Sequence, residues 1–281
     1  MPREVFGPGY AFVPREDLLT LEEIARIARV FAAIGMRKVR ITGGEPLIRR
    51  NLEHLIEMID AMDEVDDISL TTNGSMLSPS RAVDLRKSGL KRLTISLDAL
   101  DDPTFKRIND VDYPVSRVLD GIEHARAAGF SGTKINVVVR RGFNQHAVLD
   151  LVKHFRHTDC IVRFIEYMDV GETNGWNLDD VIPAADLVDR IDALYPLEAV
   201  SPNYPGEVAK RWRYRDGAGE IGFITSVTQS FCGDCSRARL SAVGELYTCL
   251  FGTQGHDLRS LLRSGADDTQ LLQAVSEIWQ A

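Results

Sequence analysis

Residues 92–99 read RLTISLDA, and their alternation decides the fold. At a period of two, Leu93, Ile95 and Leu97 share one face, opposite Thr94, Ser96 and Asp98. The same alternation recurs along the chain. In KVRIT (38–42), Val39 and Ile41 oppose Lys38, Arg40 and Thr42. In DISLTTNG (67–74), Ile68, Leu70 and Thr72 oppose Ser69, Thr71 and Asn73. In TKINVVV (133–139), Ile135, Val137 and Val139 oppose Lys134 and Asn136, and IVRFIEYM (161–168) sets Arg163 among apolar neighbours. Helical patterns separate these strands. Residues 17–33 open on Thr20 and Glu23, a capping box, and close at Gly35. Further helices carry Leu52, Leu55, Ile56 and Ile59, end at Gly89 and at Gly129, and cover 145–157.

Such alternation predicts a parallel sheet covered by helices, either an open doubly wound sheet or a barrel. Strands covered on both sides would be nearly continuous apolar runs, and a packed barrel interior would be mostly branched apolar residues. These strands keep one polar, partly cationic face. The expected fold is therefore α/β, an incomplete parallel barrel whose outer face packs on helices. Its inner face would line a ligand cavity rather than being a merely solvated sheet surface. Past residue 168 the pattern changes to a turn-rich stretch, a helix over 184–197, a linker-like SPNYPGE (201–207) and a hairpin around Asp216-Gly217. The predicted division is 1–200 for the partial barrel and 201–281 for a smaller C-terminal cluster and substrate-binding region.

The totals narrow the function. The chain has 281 residues and a net charge of −8, which argues against a broad nucleic-acid footprint. No apolar run approaches ~18 residues and no signal pattern opens the chain, so a cytoplasmic protein is expected. Three of four cysteines lie in FCGDCSRARLSAVGELYTCL (231–250), at Cys232, Cys235 and Cys249. That spacing points to metal chemistry in a reducing compartment. Cys160 starts the fifth strand, at the end opposite the ligand face, and reads as a small buried residue. His154 and His157 beside it lie on a polar helix face. Structural zinc is normally closed by four ligands, so three cysteines favour an iron–sulfur cluster with one open iron. Gly217, Gly219 and Gly222 match a dinucleotide fingerprint, but a strand follows them, so a hairpin turn is the better account. Thr42-Gly43-Gly44-Glu45-Pro46 ends a strand, where glycines let backbone approach a ligand and Glu45 suits an ammonium group. Arg40, Lys134, Arg163, Arg237 and Arg239 are cations suited to a polyphosphate.

ITGGEP, LTTNG, SLDA, KINVVV, RFIEYMDVG and the cysteine segment, in this order, resemble the GTP 3',8-cyclase family of radical S-adenosylmethionine enzymes, over essentially the whole chain. The resemblance implies a partial (β/α)6 barrel and a C-terminal [4Fe-4S] cluster on Cys232, Cys235 and Cys249, with an open iron for guanine. It implies S-adenosylmethionine contacts at Gly44, Ser96 and Met168. Contacts to GTP are implied at Arg40, Thr71, Lys134, Arg237 and Arg239, with Lys38 and Arg163 as further phosphate partners. The implied reaction converts GTP to 3',8-cyclo-7,8-dihydro-GTP, the first step of molybdenum cofactor biosynthesis. A 5'-deoxyadenosyl radical takes hydrogen from C3' of the ribose, and C3' then attacks C8 of guanine. Implied partners are GTP, an electron donor and the cyclic pyranopterin monophosphate synthase that takes the product, with a homodimer left open and no nucleic acid or membrane.

The family carries C-x3-C-x2-C directly before a Met-Pro pair, and this chain begins at Met1-Pro2. It also carries a Gly-Gly tail beyond the position of Trp279-Gln280-Ala281. A second, radical-generating [4Fe-4S] cluster and the first barrel strand are thus expected only in a full-length protein. The catalytic ligands are unassigned here, and the chain alone is expected to be inactive. The alternatives are a non-catalytic nucleotide-binding iron–sulfur protein and a radical maturase of another kind.

Overall fold

A computed structural model describes residues 13–169, 175–229 and 232–280. The Met1-Pro2 start, part of the turn-rich stretch after Met168, and Ala281 lie outside the described residues. Helix α1 (Leu21–Ala33) begins where the capping box predicts: Thr20 Oγ1 accepts from the Glu23 amide, and the Glu23 carboxylate accepts from the Thr20 amide. Then come β1 (Lys38–Ile41), α2 (Leu52–Asp60), β2 (Asp67–Thr72), α3 (Pro79–Lys87) and β3 (Arg92–Ser96). Two helices follow, α4 (Asp102–Asn109), capped by Asp101, and α5 (Ser116–Ala127). The chain continues through β4 (Lys134–Val139), α6 (Val148–Phe155), β5 (Ile161–Glu166), α7 (Ala184–Asp192) and β6 (Leu197–Val200). Strands β7 (Lys210–Tyr214), β8 (Glu220–Ile224), β9 (Arg239–Leu240), β10 (Glu245–Tyr247) and β11 (His256–Asp257) precede α8 (Leu258–Arg263) and α9 (Asp268–Gln280).

The chain forms two compact units that interleave along the sequence. One holds Asn73–Leu77 and Leu93–Ser236. Its sheet runs β3-β4-β5-β8-β7-β6, parallel as far as β8 and antiparallel from there on. The predicted hairpin is present: its turn is 215–219, around Asp216-Gly217, and Gly222 lies inside β8. Along β4, Ile135, Val137 and Val139 are buried while Lys134 and Asn136 are half-buried, so the alternation reads correctly. Phe164 of β5 and Phe223 of β8 are register partners on the covered face, with ring centroids 5.9 Å apart.

The other unit comprises, among described residues, 13–72, 78–92 and 237–280. Here β1 and β2 pair in parallel, and β9, β10 and β11 form a small antiparallel sheet. Its core joins Ile27 and Val30 of α1 to Leu246, Leu258, Leu262, Leu271 and Val275. Ion pairs Arg263–Glu23 (2.8 Å) and Arg26–Asp268 (2.7 Å) flank that core. The pattern change near residue 200 is real in the sequence. Compactness nevertheless groups 237–280 with α1, because the C-terminal helices bury their apolar stripes on it.

One close approach in the first unit is testable. A Cβ at Gly121 of α5 would stand 2.5 Å from the Gly74 carbonyl oxygen, which is backbone and cannot swing away. Gly121→Ala is expected to destabilise the fold by about 1–3 kcal/mol, the range for overpacking, read as a lower urea midpoint at unchanged slope. A midpoint equal to wild type would mean that α5 does not sit on this turn.

Candidate active site

In the first unit, register sets Ser96 beside Asn136, Asn136 beside Arg163, and Arg163 beside Gly222. These four positions form one row across four parallel strands. Lys134 lies two residues earlier on the same face of β4 as Asn136. The row is built by packing as well as by register. Arg163 is buried at 9% exposure and its Nε donates to Asn136 Oδ1 at 3.1 Å. A Cβ at Gly222 would lie 3.1 Å from Arg163 Cγ, so the missing side chain is what lets the arginine lie across β8. Neither Asn136 nor Gly222 is a site candidate by residue type alone. Period two already put Asn136 on the right face, whereas Gly222 needed the β5–β8 register.

Beyond Ser96, the carboxylate of Asp98 is buried and accepts from the Val138 amide at 2.8 Å. Asn144, 1% exposed, clips the same place: its Nδ2 donates to the Asp98 and Val138 carbonyls, each at 2.9 Å. Burial pushes the Asp98 carboxyl up to about 6, against smaller lowering from the Val138 amide and the Asn109 side chain. A carboxyl raised in the folded state stabilises the fold fully below about 3.8 and loses that contribution as pH rises through about 6. The interval corresponds to about 3 kcal/mol. Asp98→Asn holds the neutral form, so its stability advantage over wild type should grow by about 3 kcal/mol from pH 4 to pH 7 in urea titrations. A constant difference across that range would show that the carboxyl is hydrated.

Met168 follows β5 and is half-buried. Cys232 and Cys235 lie on one 3-10 turn, closed by the Cys235 amide donating to the Cys232 carbonyl at 3.2 Å, and both are exposed. Cys160 is buried, its thiol pushed up to about 11 mainly by that burial.

In the second unit, Arg40 of β1 is the register partner of Ser69 in β2, and Ser69 Oγ donates to the Val39 carbonyl at 3.3 Å. Lys38 and Arg40 are exposed, and Thr71 follows Ser69 on its face of β2. Thr71 Oγ1 is buried with no hydrogen-bond partner among the described residues. Gly44 is exposed at the end of β1. Glu45 turns one oxygen back onto the protein: Oε1 accepts from the Leu47 amide at 3.0 Å and from Thr72 Oγ1 at 2.7 Å. Arg239 of β9 pairs in register with Tyr247 of β10. Arg237 precedes β9 and Cys249 follows β10, and Cys249 is exposed.

The donor chemistry fits an iron–sulfur cluster, with three exposed thiols, two of them on one turn. Among the described residues, no three His, Cys, Asp or Glu side chains are gathered closely enough to hold a metal ion.

Polar residues at the C-terminal ends of parallel strands, a cation row and a three-thiol segment define a class that comparison with known proteins matches. The Radical SAM superfamily model covers residues 6–155, and the Molybdenum Cofactor Synthesis C model covers residues 160–281. SuiB of Streptococcus suis, solved with S-adenosylmethionine bound, shares the fold at a TM-score of 0.63 and 16% identity, over 94% of this chain and 61% of its own. The GTP 3',8-cyclase of Acidothermus cellulolyticus is 53% identical over 283 residues, which span 99% of this chain and 78% of that protein. The GTP 3',8-cyclase of Xanthomonas axonopodis pv. citri is 49% identical over 265 residues, 94% of this chain and 79% of that protein. The chain belongs to the GTP 3',8-cyclase family of radical S-adenosylmethionine enzymes. That membership implies a [4Fe-4S] cluster and S-adenosylmethionine as cofactors.

Proposed function

We propose that this chain binds GTP with its cationic strand faces and serves the cyclisation of GTP to 3',8-cyclo-7,8-dihydro-GTP. The observation that carries this reading is the row Ser96–Asn136–Arg163, with Lys134 on its face: a polar, positively charged strip at the centre of a parallel sheet. Contacts to GTP fall on Lys134 and Arg163 in the first unit and on Lys38, Arg40 and Thr71 in the second. Arg237 and Arg239 hold the nucleotide beside Cys249. Gly44, Ser96 and Met168 hold S-adenosylmethionine. Cys232, Cys235 and Cys249, in the C-terminal region 201–281 that follows the partial barrel 1–200, ligate a cluster whose open iron receives guanine. When bound, S-adenosylmethionine and the iron–sulfur chemistry supply the radical that takes hydrogen from ribose C3'. The residues of the chain hold the two reactants in register and exclude quenchers. No described helix is long and apolar enough to cross a membrane. The reading places the reaction in the cytoplasm, with an electron donor upstream and the cyclic pyranopterin monophosphate synthase downstream. The test is GTP deuterated at C3', incubated with the reconstituted protein, reductant and S-adenosylmethionine. GTP binding that shifts the spectrum of the cluster is the expected result, and transfer of deuterium to 5'-deoxyadenosine reads separately whether this chain turns GTP over. GTP that neither binds nor shifts the spectrum of the cluster would overturn the reading.

A further inference from the structure

Glu166 ends β5 in the interior at 1% exposure, and nothing in the proposed reaction uses it. A buried carboxylate is costly unless its oxygens are satisfied, and both are. Oε1 accepts from the Ala184 amide at 2.9 Å, at the first residue of α7, and from the Thr228 hydroxyl at 2.5 Å. Oε2 accepts from the Val227 amide at 2.9 Å and the Thr228 amide at 2.8 Å. The Glu166 carbonyl accepts from Ser226 Oγ at 3.1 Å. Burial works to raise the carboxyl, but these bonds outweigh it and hold it below the usual range, so the group is ionised at neutral pH. The segment it grips closes on itself through Thr225 Oγ1 to the Gln229 carbonyl at 3.0 Å. That segment leaves β8 and leads towards the turn that carries Cys232 and Cys235. On the other side, Met168 lies two residues beyond Glu166.

We infer that Glu166 is a positioning residue: its carboxylate pins the 225–229 strap to the end of β5, and thereby sets where the Cys232–Cys235 turn begins. This rests on the reading that those thiols ligate the cluster. The chemistry requires a carboxylate. Two oxygens accept four donors, and an amide in their place would turn a donor towards donors.

The test compares wild type, Glu166→Gln and Thr228→Val, each reconstituted anaerobically with iron and sulfide. Hydrogen exchange at the Val227 and Thr228 amides is read in the cluster-free proteins, and iron retention against a chelator in the reconstituted ones. Glu166→Gln should exchange ~10-fold or more faster at those amides, the effect of losing bonds to a charged acceptor. Exchange along β4 should stay at wild-type rates while iron retention falls severalfold. Thr228→Val loses only the hydroxyl bond and should shift both readouts in the same direction by less. If Glu166→Gln also loosens β4, Thr228→Val decides. Faster strap exchange with wild-type iron retention overturns the positioning role, and unchanged strap exchange overturns the pin itself. A wild-type protein that takes up no iron would instead sink the cluster reading on which the inference rests.

Discussion

Cys235→Ser, reconstituted with iron and sulfide, should lose the iron that the wild-type cysteine segment retains. The expected fall in retention against a chelator exceeds the ~10–100-fold typical of losing a mere hydrogen-bond partner of a metal ligand. A thiolate is both donor and countercharge in an iron–sulfur site, and a serine hydroxyl at neutral pH is neither. Cys232→Ser and Cys249→Ser should match it. Cys160→Ser is the internal control. Cys160 is buried at the start of β5, with a thiol held up at about 11, so it is neither exposed nor readily ionised for ligation. Full iron in Cys235→Ser, or loss of iron in Cys160→Ser, would show that the donor set is drawn wrongly.

The part of this architecture legible in the sequence is the part encoded within a few residues. Thr20 and Glu23 announce α1 because a capping box is a local exchange of hydrogen bonds. The alternation in 134–139 announces a strand with one covered face because side chains on a strand must alternate. Four residues after Pro196 are too few to signal β6, and the helix read over 184–197 ends at Asp192 instead. The two helices α4 and α5 are separated by Asp110 in a left-handed conformation, which no apolar period reveals. What sequence patterns do not carry is partnership. The hairpin at Asp216-Gly217 was readable, but the parallel addition of β8 to β5 was not. With it went the reason for Gly222, which is room for Arg163. Nothing in the pattern of β5 singles out Glu166, whose strap donors lie some sixty residues further along the chain. The candidate cations stand on polar faces that alternate with apolar ones, which is a local pattern; that they hold phosphate is the proposal.

That argument makes the cation row the place where binding should respond most to substitution. Lys134 lies half-buried on the face that carries Asn136 and Arg163, away from the covered core of Ile135, Val137 and Val139. Lys134→Ala should therefore leave the melting temperature near wild type while weakening GTP binding by ~10–100-fold, the worth of a hydrogen bond between charged groups. Arg163→Ala should weaken binding comparably, but with some loss of stability, because it also removes packing over Gly222 and the bond to Asn136. The two effects should add incompletely, since the residues occupy adjacent strands and would share one triphosphate. Guanosine supplies the discriminating measurement. If these side chains hold phosphate, both variants bind guanosine as wild type does, and the preference of the protein for GTP over guanosine collapses with either substitution. Equal weakening towards both ligands would mean that the row supports the fold of the site rather than the charge of its substrate. Arg163→Lys separates the remaining possibilities. It keeps the charge but loses the planar fork, so binding should recover only in part if the arginine grips phosphate oxygens in pairs.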